Sequence, residues 1–280
     1  NKRAERTPPR LDDKIIVSWN GLLLSGLADA YRYCGLEKAR DTGILLGERL
    51  LREGRILPHI LKSDTSNSIG FLEDFACAIQ GFISLYQSTW EITWMHQARD
   101  LTEQVFQQFS NSENPLFHFE ANTSPAGIRR TLETSDSVIP ASNSIMAKNL
   151  FLLGQFFERK EWIDYARDML TAMSGSIARY SEQHTNWLQL ALWLDRPYLT
   201  LVMCRPDADK DAEKLRRYYL PNSLMAVSNT ALAEPLFEDR FDAQDSKIYI
   251  CTYGHCLAPV SEVETAKLIA LEHLQSDLTF

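Results

Sequence analysis

The sequence predicts a mainly α fold, a curved layer of αα-hairpins with a small α/β insert near the C-terminus. Three observations carry that expectation. The tripeptide Ala-Arg-Asp recurs at residues 39–41, 98–100 and 166–168, each time a similar distance after a long apolar segment. Setting Asn20, Glu73 and Asn143 in register places Tyr33, Tyr86 and Phe156 at one offset, and Trp94 and Trp162 both stand four residues before the alanine of that tripeptide. Beyond Pro197 the helical period gives way to short β-rich runs.

Taken in order, "NGLLLSGLADAYRY" (20–33), "EDFACAIQGFISLY" (73–86) and "NSIMAKNLFLLGQF" (143–156) are apolar on nearly every side, as buried inner helices are. The segments that follow them are amphipathic. In "WIDYARDMLTAM", Trp162, Tyr165, Ala166, Met169 and Leu170 share one face and leave Arg167 and Asp168 for water. Buried inner helices backed by half-wet outer ones stack as hairpins. A fourth inner helix is expected at 186–194, stopped by Pro197. Residues 52–69 should contain short extended pieces. In the long connection at 110–140, "PLFHFEA" and "IRRTLETSD" flank the turn-rich "NTSPAG" and read as a β-hairpin. "YLTLVMC", "NSLMAVSN" and "KIYICTY" read as strands and "DKDAEKLRRYYL" as a helix, giving an insert over 197–260. Residues 261–280 supply a last helix, with Ser261 and Glu264 in capping-box spacing, expected to complete a fourth hairpin with the helix at 186–194. The hairpins proper occupy 1–196.

At 280 residues, with 45% hydrophobic and 24% charged residues, the composition is that of an ordinary globular protein. No apolar run approaches the ~20 residues of a membrane span, which argues against a membrane partner. A net charge of −8 with scattered cations argues against nucleic acid. No charged, then apolar, then small-residue start reads as a signal peptide, so the expected location is cytoplasmic. Five cysteines, an odd number, do not suggest a disulfide framework. Cys251 and Cys256 have neither redox-dithiol nor zinc-site spacing. A metal at that pair with His255 is the minor alternative, and the expectation is no metal and no cofactor.

"LDDKIIVSWNG", "GFLEDFA", the Asp136…"PASNS" stretch and "IYICTYGHCLAPV" together resemble the thioredoxin-domain-containing family related to spermatogenesis-associated protein 20 and YyaL. The resemblance implies a six-hairpin glycosidase-like (α/α) toroid, similar also to N-acylglucosamine 2-epimerases, of which this chain would be the C-terminal part. It further implies a thioredoxin-like domain elsewhere in the same full-length chain. Where the family usually has a Gly, this chain has Ala141 and Ser142 ahead of Asn143.

In such a toroid the inner helices run the same way and their N-termini ring one mouth. The segments ahead of them are polar or acidic with an aromatic nearby, the combination that sugar hydroxyls and C–H faces need. The candidate catalytic residues are Asp12, Asp13, Glu73 and Asp74 for acid and carboxylate roles in glycoside hydrolysis, or His118 and His184 for epimerisation or isomerisation. Lys14, Trp19, Asn20, Phe71, Arg130, Asp136, Ser142 and Asn143 are candidate contacts to a small-molecule sugar, with Arg129 beside Arg130. Helix capping and surface ion pairing account for the same acids, Ser142 and Asn143 in structural terms. The competing function is a non-catalytic scaffold supporting the thioredoxin-like domain. An exposed hairpin edge would favour homo-oligomers.

Overall fold

The computed structural model describes residues 2, 6–7, 10–51, 57–61, 69–123 and 130–275. Three helical hairpins come first: α1 (Val17–Cys34) with α2 (Glu37–Leu51), α3 (Leu72–Thr89) with α4 (Ile92–Phe109), and α5 (Ser142–Phe156) with α6 (Lys160–Arg179). A shorter helix, α7 (Thr185–Asp195), follows without a return partner of its own.

Of the expected inner helices, α3 and α5 are buried as their sequences require. By contrast, α1 buries one face (Val17, Gly21, Leu24, Ala28, Tyr31) and α7 only Trp187 and Leu190, because neither is enclosed by neighbours on both sides among the described residues. Nearly every residue of α3 and α5 is buried, whereas α4 buries the stripe Trp94, Met95, Ala98, Thr102, Val105 and Phe109. The packing of α1 on α3 depends on small residues. A Cβ on Gly21 would lie 2.5 Å from the Cys77 carbonyl carbon, and one on Gly81 would meet the Gly21 carbonyl at 3.0 Å. The two backbones touch there, which no larger side chain allows.

The remaining elements are β1 (Leu199–Cys204), α8 (Ala208–Leu215), β2 (Ser223–Ser228), β3 (Tyr249–Thr252), β4 (His255–Cys256) and α9 (Val263–Gln275). The sheet order is β2-β1-β3-β4, with β1 and β2 parallel across the α8 crossover and the other pairings antiparallel. Side chains alternate across it. Val202, Cys204, Leu224 and Ala226 join the core of the helical hairpins, while Leu199, Leu201, Met203, Met225 and Val227 pack in a second core with α8 and with Ala266 and Ala270 of α9. The sheet therefore lies between the helical array and the α8–α9 pair.

The outer edge of β2 is closed by side chains rather than by another strand. Gln87 donates from Nε2 to the Met225 carbonyl at 2.6 Å and accepts the Met225 N–H on Oε1 at 3.1 Å. One residue earlier in α3, the Tyr86 hydroxyl accepts the Val227 N–H at 2.9 Å and donates to its carbonyl at 3.3 Å. A helix so placed covers an edge that would otherwise offer free backbone groups.

Three expectations need correction. α9 packs against α8 and the sheet rather than completing a hairpin with α7, because Ala266 and Ala270 present a flat face to the second core. Glu264, expected in a capping box with Ser261, accepts from Tyr218 at 2.7 Å and pairs with Lys267. No strand forms among the described residues of 115–136. Only Phe119 N–H to the Thr131 carbonyl, at 2.8 Å, links the two arms by backbone. The first arm is claimed elsewhere, since Leu72 N–H donates to the Phe119 carbonyl at 2.9 Å and the Asn143 amide bonds both backbone groups of Phe117. Most of the extended pieces expected over 52–69 lie outside the described residues.

Candidate functional site

Acidic side chains tie the N-termini of the inner helices in two pairs, α1 with α3 and α5 with α7. Asp74 sits in the first turn of α3 and is fully buried. Its Oδ1 accepts the Ser18 N–H of α1 at 3.0 Å, and its Oδ2 accepts the Phe71 N–H at 2.9 Å and meets His59 Nδ1 at 2.9 Å. Further along, Glu133 accepts the Ser142 N–H at the start of α5 at 3.0 Å. Asp136 joins α5 to α7, taking the Ala141 N–H at 3.0 Å on one oxygen and the Asn186 N–H at 2.9 Å on the other. Negative groups at helix N-termini complete unpaired N–H donors and meet the positive end of the helix dipole. The four helix starts consequently share one end of the array.

Two loops bring residues to this end that sequence reading missed. Ile60 bridges Ile16, and Val17 N–H donates to the His59 carbonyl at 3.0 Å, so the segment around Pro58 returns beside the entry to α1. That return places His59 against Asp74. Glu133 arrives on the 130–141 connection. No spacing pattern marks either residue, because each depends on where a loop comes back.

Glu73 is the group most exposed to this environment. It is half-buried, and its carboxyl is raised above the ordinary range by burial first, then by the neighbouring Asp74 and Glu133 charges, with His59 pulling the other way. Burial likewise raises Asp74 in spite of its donors. Aromatic faces stand alongside. Phe71, 37% exposed, stacks on Phe119 with ring centroids 5.0 Å apart and 8° between planes, and its ring meets His59 edge-on at 5.0 Å. Trp19 projects from the first turn of α1, 64% exposed. Ser18 and Ser142 each bury a hydroxyl with no hydrogen-bond partner among the described residues. One ligand atom each from His59, Glu73 and Asp74 lie within 4.8 Å of one another, a set that offers three donors to a cation, although Asp74 already spends both oxygens on protein groups.

The other candidates fall into three groups. Asp12 and Lys14 pair with each other at 3.0 Å on an exposed segment, and that bond lowers the Asp12 carboxyl. Asp13 is exposed beside them. Asn20 and Asn143 turn to backbone: Asn20 donates to the Ile16 carbonyl at 2.7 Å, and Asn143, fully buried, holds Phe117 and the Glu133 carbonyl. The histidines expected to act as an acid–base pair do not present themselves to a ligand together. His184 is buried, and its Nδ1 donates to the Tyr180 carbonyl at 2.7 Å ahead of α7, which fixes it as a structural group. His118 lies in the 110–141 connection with Nδ1 buried and unpartnered, and burial followed by the Arg130 charge lowers its basicity. Arg130 itself bonds Asn122. Arg129 lies outside the described residues.

A second polar group lies deeper. Lys148, nearly two turns inside α5, donates to Asn186 Oδ1 at 2.9 Å and Gln189 Oε1 at 2.5 Å, with its ammonium 5.0 Å from the Trp193 ring centre. Burial brings its pKa down to about 8.

Cys251 and Cys256, left unpaired in the sequence reading, form a disulfide across β3 and β4, where the register sets them opposite. A cavity of about 290 Å³ adjoins it. Another, of about 520 Å³, opens among Arg32 of α1, Ile83 and Gln87 of α3, and Leu152 of α5, toward the C-terminal ends of those helices.

No family model matches the chain. It is similar to spermatogenesis-associated protein 20 of Homo sapiens, 25% identical over 95% of this chain and 37% of that protein. The proteins of that name from Rattus norvegicus and Mus musculus are 25% and 26% identical, over 81% of this chain and 31% of each. The chain thus spans about a third of the length of the curated relatives it matches, and these homologues carry the family name that its motifs resemble.

Proposed function

From that likeness we propose that the acidic, aromatic end of the inner helices is the carbohydrate-binding mouth of a partial (α/α) toroid, with Glu73 as its proton donor. The observation that carries this reading is the setting of Glu73. A half-buried carboxyl whose proton is retained above the usual range, flanked by Asp74 and Glu133 and two residues along the chain from Phe71 of the Phe71–Phe119 stack, suits general-acid chemistry at a glycosidic oxygen. Flat rings take the C–H face of a sugar while carboxylates pair its O–H groups. In this reading the chain works beside a thioredoxin-like domain of the same longer protein, in the cytoplasm.

The competing reading is a scaffold without chemistry. It draws on the full use of Asp74, Asp136 and Asn143 as ties between helices and loops. A thermal-shift screen against a sugar library separates the two, using wild type, Glu73→Gln and Trp19→Ala. A sugar that raises the melting temperature of wild type but of neither variant supports the mouth. Sugars that shift all three equally, or none, favour the scaffold.

A further inference from the structure

The Cys251–Cys256 bridge stands in an unusual setting for a structural disulfide. It closes a hairpin of only six residues, whose ladder already carries the Leu257 N–H to Ile250 carbonyl bond at 2.9 Å. So short a loop gives the smallest gain in closure entropy, the main stabilising effect assigned to disulfides in the chain-entropy account. The other three cysteines are free, and Cys34 among them is exposed. That is not the pattern of a fold stapled throughout.

The surroundings suit exchange chemistry instead. Both cysteines line the 290 Å³ cavity, whose walls also include Gln155, Thr200, Arg240 and His255. Arg240 is held over the Tyr249 ring, with 5.4 Å to the centroid, and by Nη1 donating to the Leu236 carbonyl at 2.7 Å. Its other arm points Nη2 at Cys256 Sγ from 3.6 Å. A fixed guanidinium beside one sulfur stabilises that sulfur as a thiolate. The second sulfur differs: Cys251 is 4% exposed and Cys256 more open. One accessible, cation-paired cysteine and one buried partner divide the roles of attacking and resolving thiol.

We propose that Cys251 and Cys256 are a redox-active pair that exchanges with a low-molecular-weight thiol, glutathione being the probe. The incoming thiolate attacks Cys256 Sγ. The Cys251–Cys256 bond breaks, and Cys251 leaves with the electron pair and takes a proton from solvent. A second thiolate then attacks the outer sulfur of the mixed disulfide, forming the small-molecule disulfide and releasing Cys256 as a thiolate facing Arg240. Two thiols are oxidised and one protein disulfide is reduced, a two-electron exchange that runs in both directions.

The test uses the 280-residue chain carrying Cys34→Ser. The folded protein is equilibrated across a series of reduced-to-oxidised glutathione ratios, quenched with iodoacetamide and read by mass spectrometry, with circular dichroism in parallel. The expected result is reversible conversion at an intermediate ratio with the helical signal unchanged, glutathione carried by Cys256 rather than Cys251 in the mixed disulfide caught at partial reduction, and a glutathione adduct trapped on Cys256 in Cys251→Ser. Arg240→Gln should slow reduction roughly tenfold by removing the cation beside the thiolate. The proposal is overturned if the bridge stays oxidised throughout the series until urea unfolds the chain, if reduction abolishes the native signal, or if Arg240→Gln reduces at the wild-type rate.

Discussion

The Asp74 carboxylate accepts the Ser18 backbone N–H at 3.0 Å, across 56 residues of sequence, and so fixes the start of α1 against the start of α3. The same side chain holds Phe71 N–H and His59. Replacement by Ala leaves buried donors unpaired, each costing about 1–3 kcal/mol. Asp74→Ala is expected to lose roughly 2–4 kcal/mol in urea unfolding, whereas His59→Ala, removing a partly exposed partner, should lose under about 1 kcal/mol. Equal losses would show that the two N–H bonds do not anchor the corner.

Glu73 gives a pH-dependent signature. Its folded carboxyl titrates above the unfolded one, so between the two values the folded state keeps a proton that the unfolded state has lost. Stability from this group is present below about pH 4 and falls as pH rises through the folded value. Glu73→Gln should therefore be the more stable protein at pH 7, by a few tenths to about 1 kcal/mol once solvent screening of a half-exposed group is allowed for. The difference should vanish near pH 4. A variant less stable at pH 7 would mean that the ionised Glu73 holds a favourable partner.

Lys148 predicts the opposite slope at higher pH. Its folded pKa is depressed to about 8 against 10.5 in the unfolded chain, so between those values the unfolded state binds the extra proton and stability rises with pH. Below pH 8 the buried ammonium is a net cost. Lys148→Met keeps the volume and removes the charge, and should gain roughly 1–3 kcal/mol at pH 7, an advantage that shrinks as pH rises from about 8 to about 10. Because other groups titrate in both proteins, the quantity to measure is the wild-type minus variant stability at each pH. A loss on substitution would show that the bonds to Asn186 and Gln189 outweigh desolvation.

α1 leaves Trp19 and Leu23 exposed one turn apart, with Leu45 of α2 also open. Contiguous apolar surface of this kind drives association. The chain should self-associate at high concentration in light scattering, and Leu23→Lys should shift it toward monomer without altering circular dichroism. A wild-type chain that stays monomeric across the range would leave this face without a partner.

The amphipathic outer helices were readable because burial imposes a period, and the Ala-Arg-Asp register located Trp94 and Trp162 on equivalent buried faces of α4 and α6. The strands of the insert were readable from β-branched and apolar runs such as Leu199–Cys204. What escaped was set by tertiary return. His59 and Glu133 reach the helix starts only through loop paths, and Phe117 declined a strand partner because the Asn143 amide imitates one. α9 was misassigned because its helical pattern names a buried face without naming what covers it. The disulfide was missed because a cross-strand pair is defined by register, and Gly254, with φ at +76°, makes the tight turn that sets that register.

The pairing of Gln87 with Met225 spans 138 residues, and that of Tyr86 with Val227 spans 141. During synthesis α3 is complete long before β2 exists, so its two polar side chains wait at the C-terminal end of a largely apolar helix for a strand 138 residues further on. Closing so long a loop is slow compared with forming the hairpins. Until it closes, a parallel β1–β2 pair would carry one open margin, the feature by which unfinished chains recruit one another. In the native fold Gln87 and Tyr86 close that margin. Substituting Gln87 by Leu would be felt first as aggregation of the newly made chain and only afterwards as a lower melting temperature.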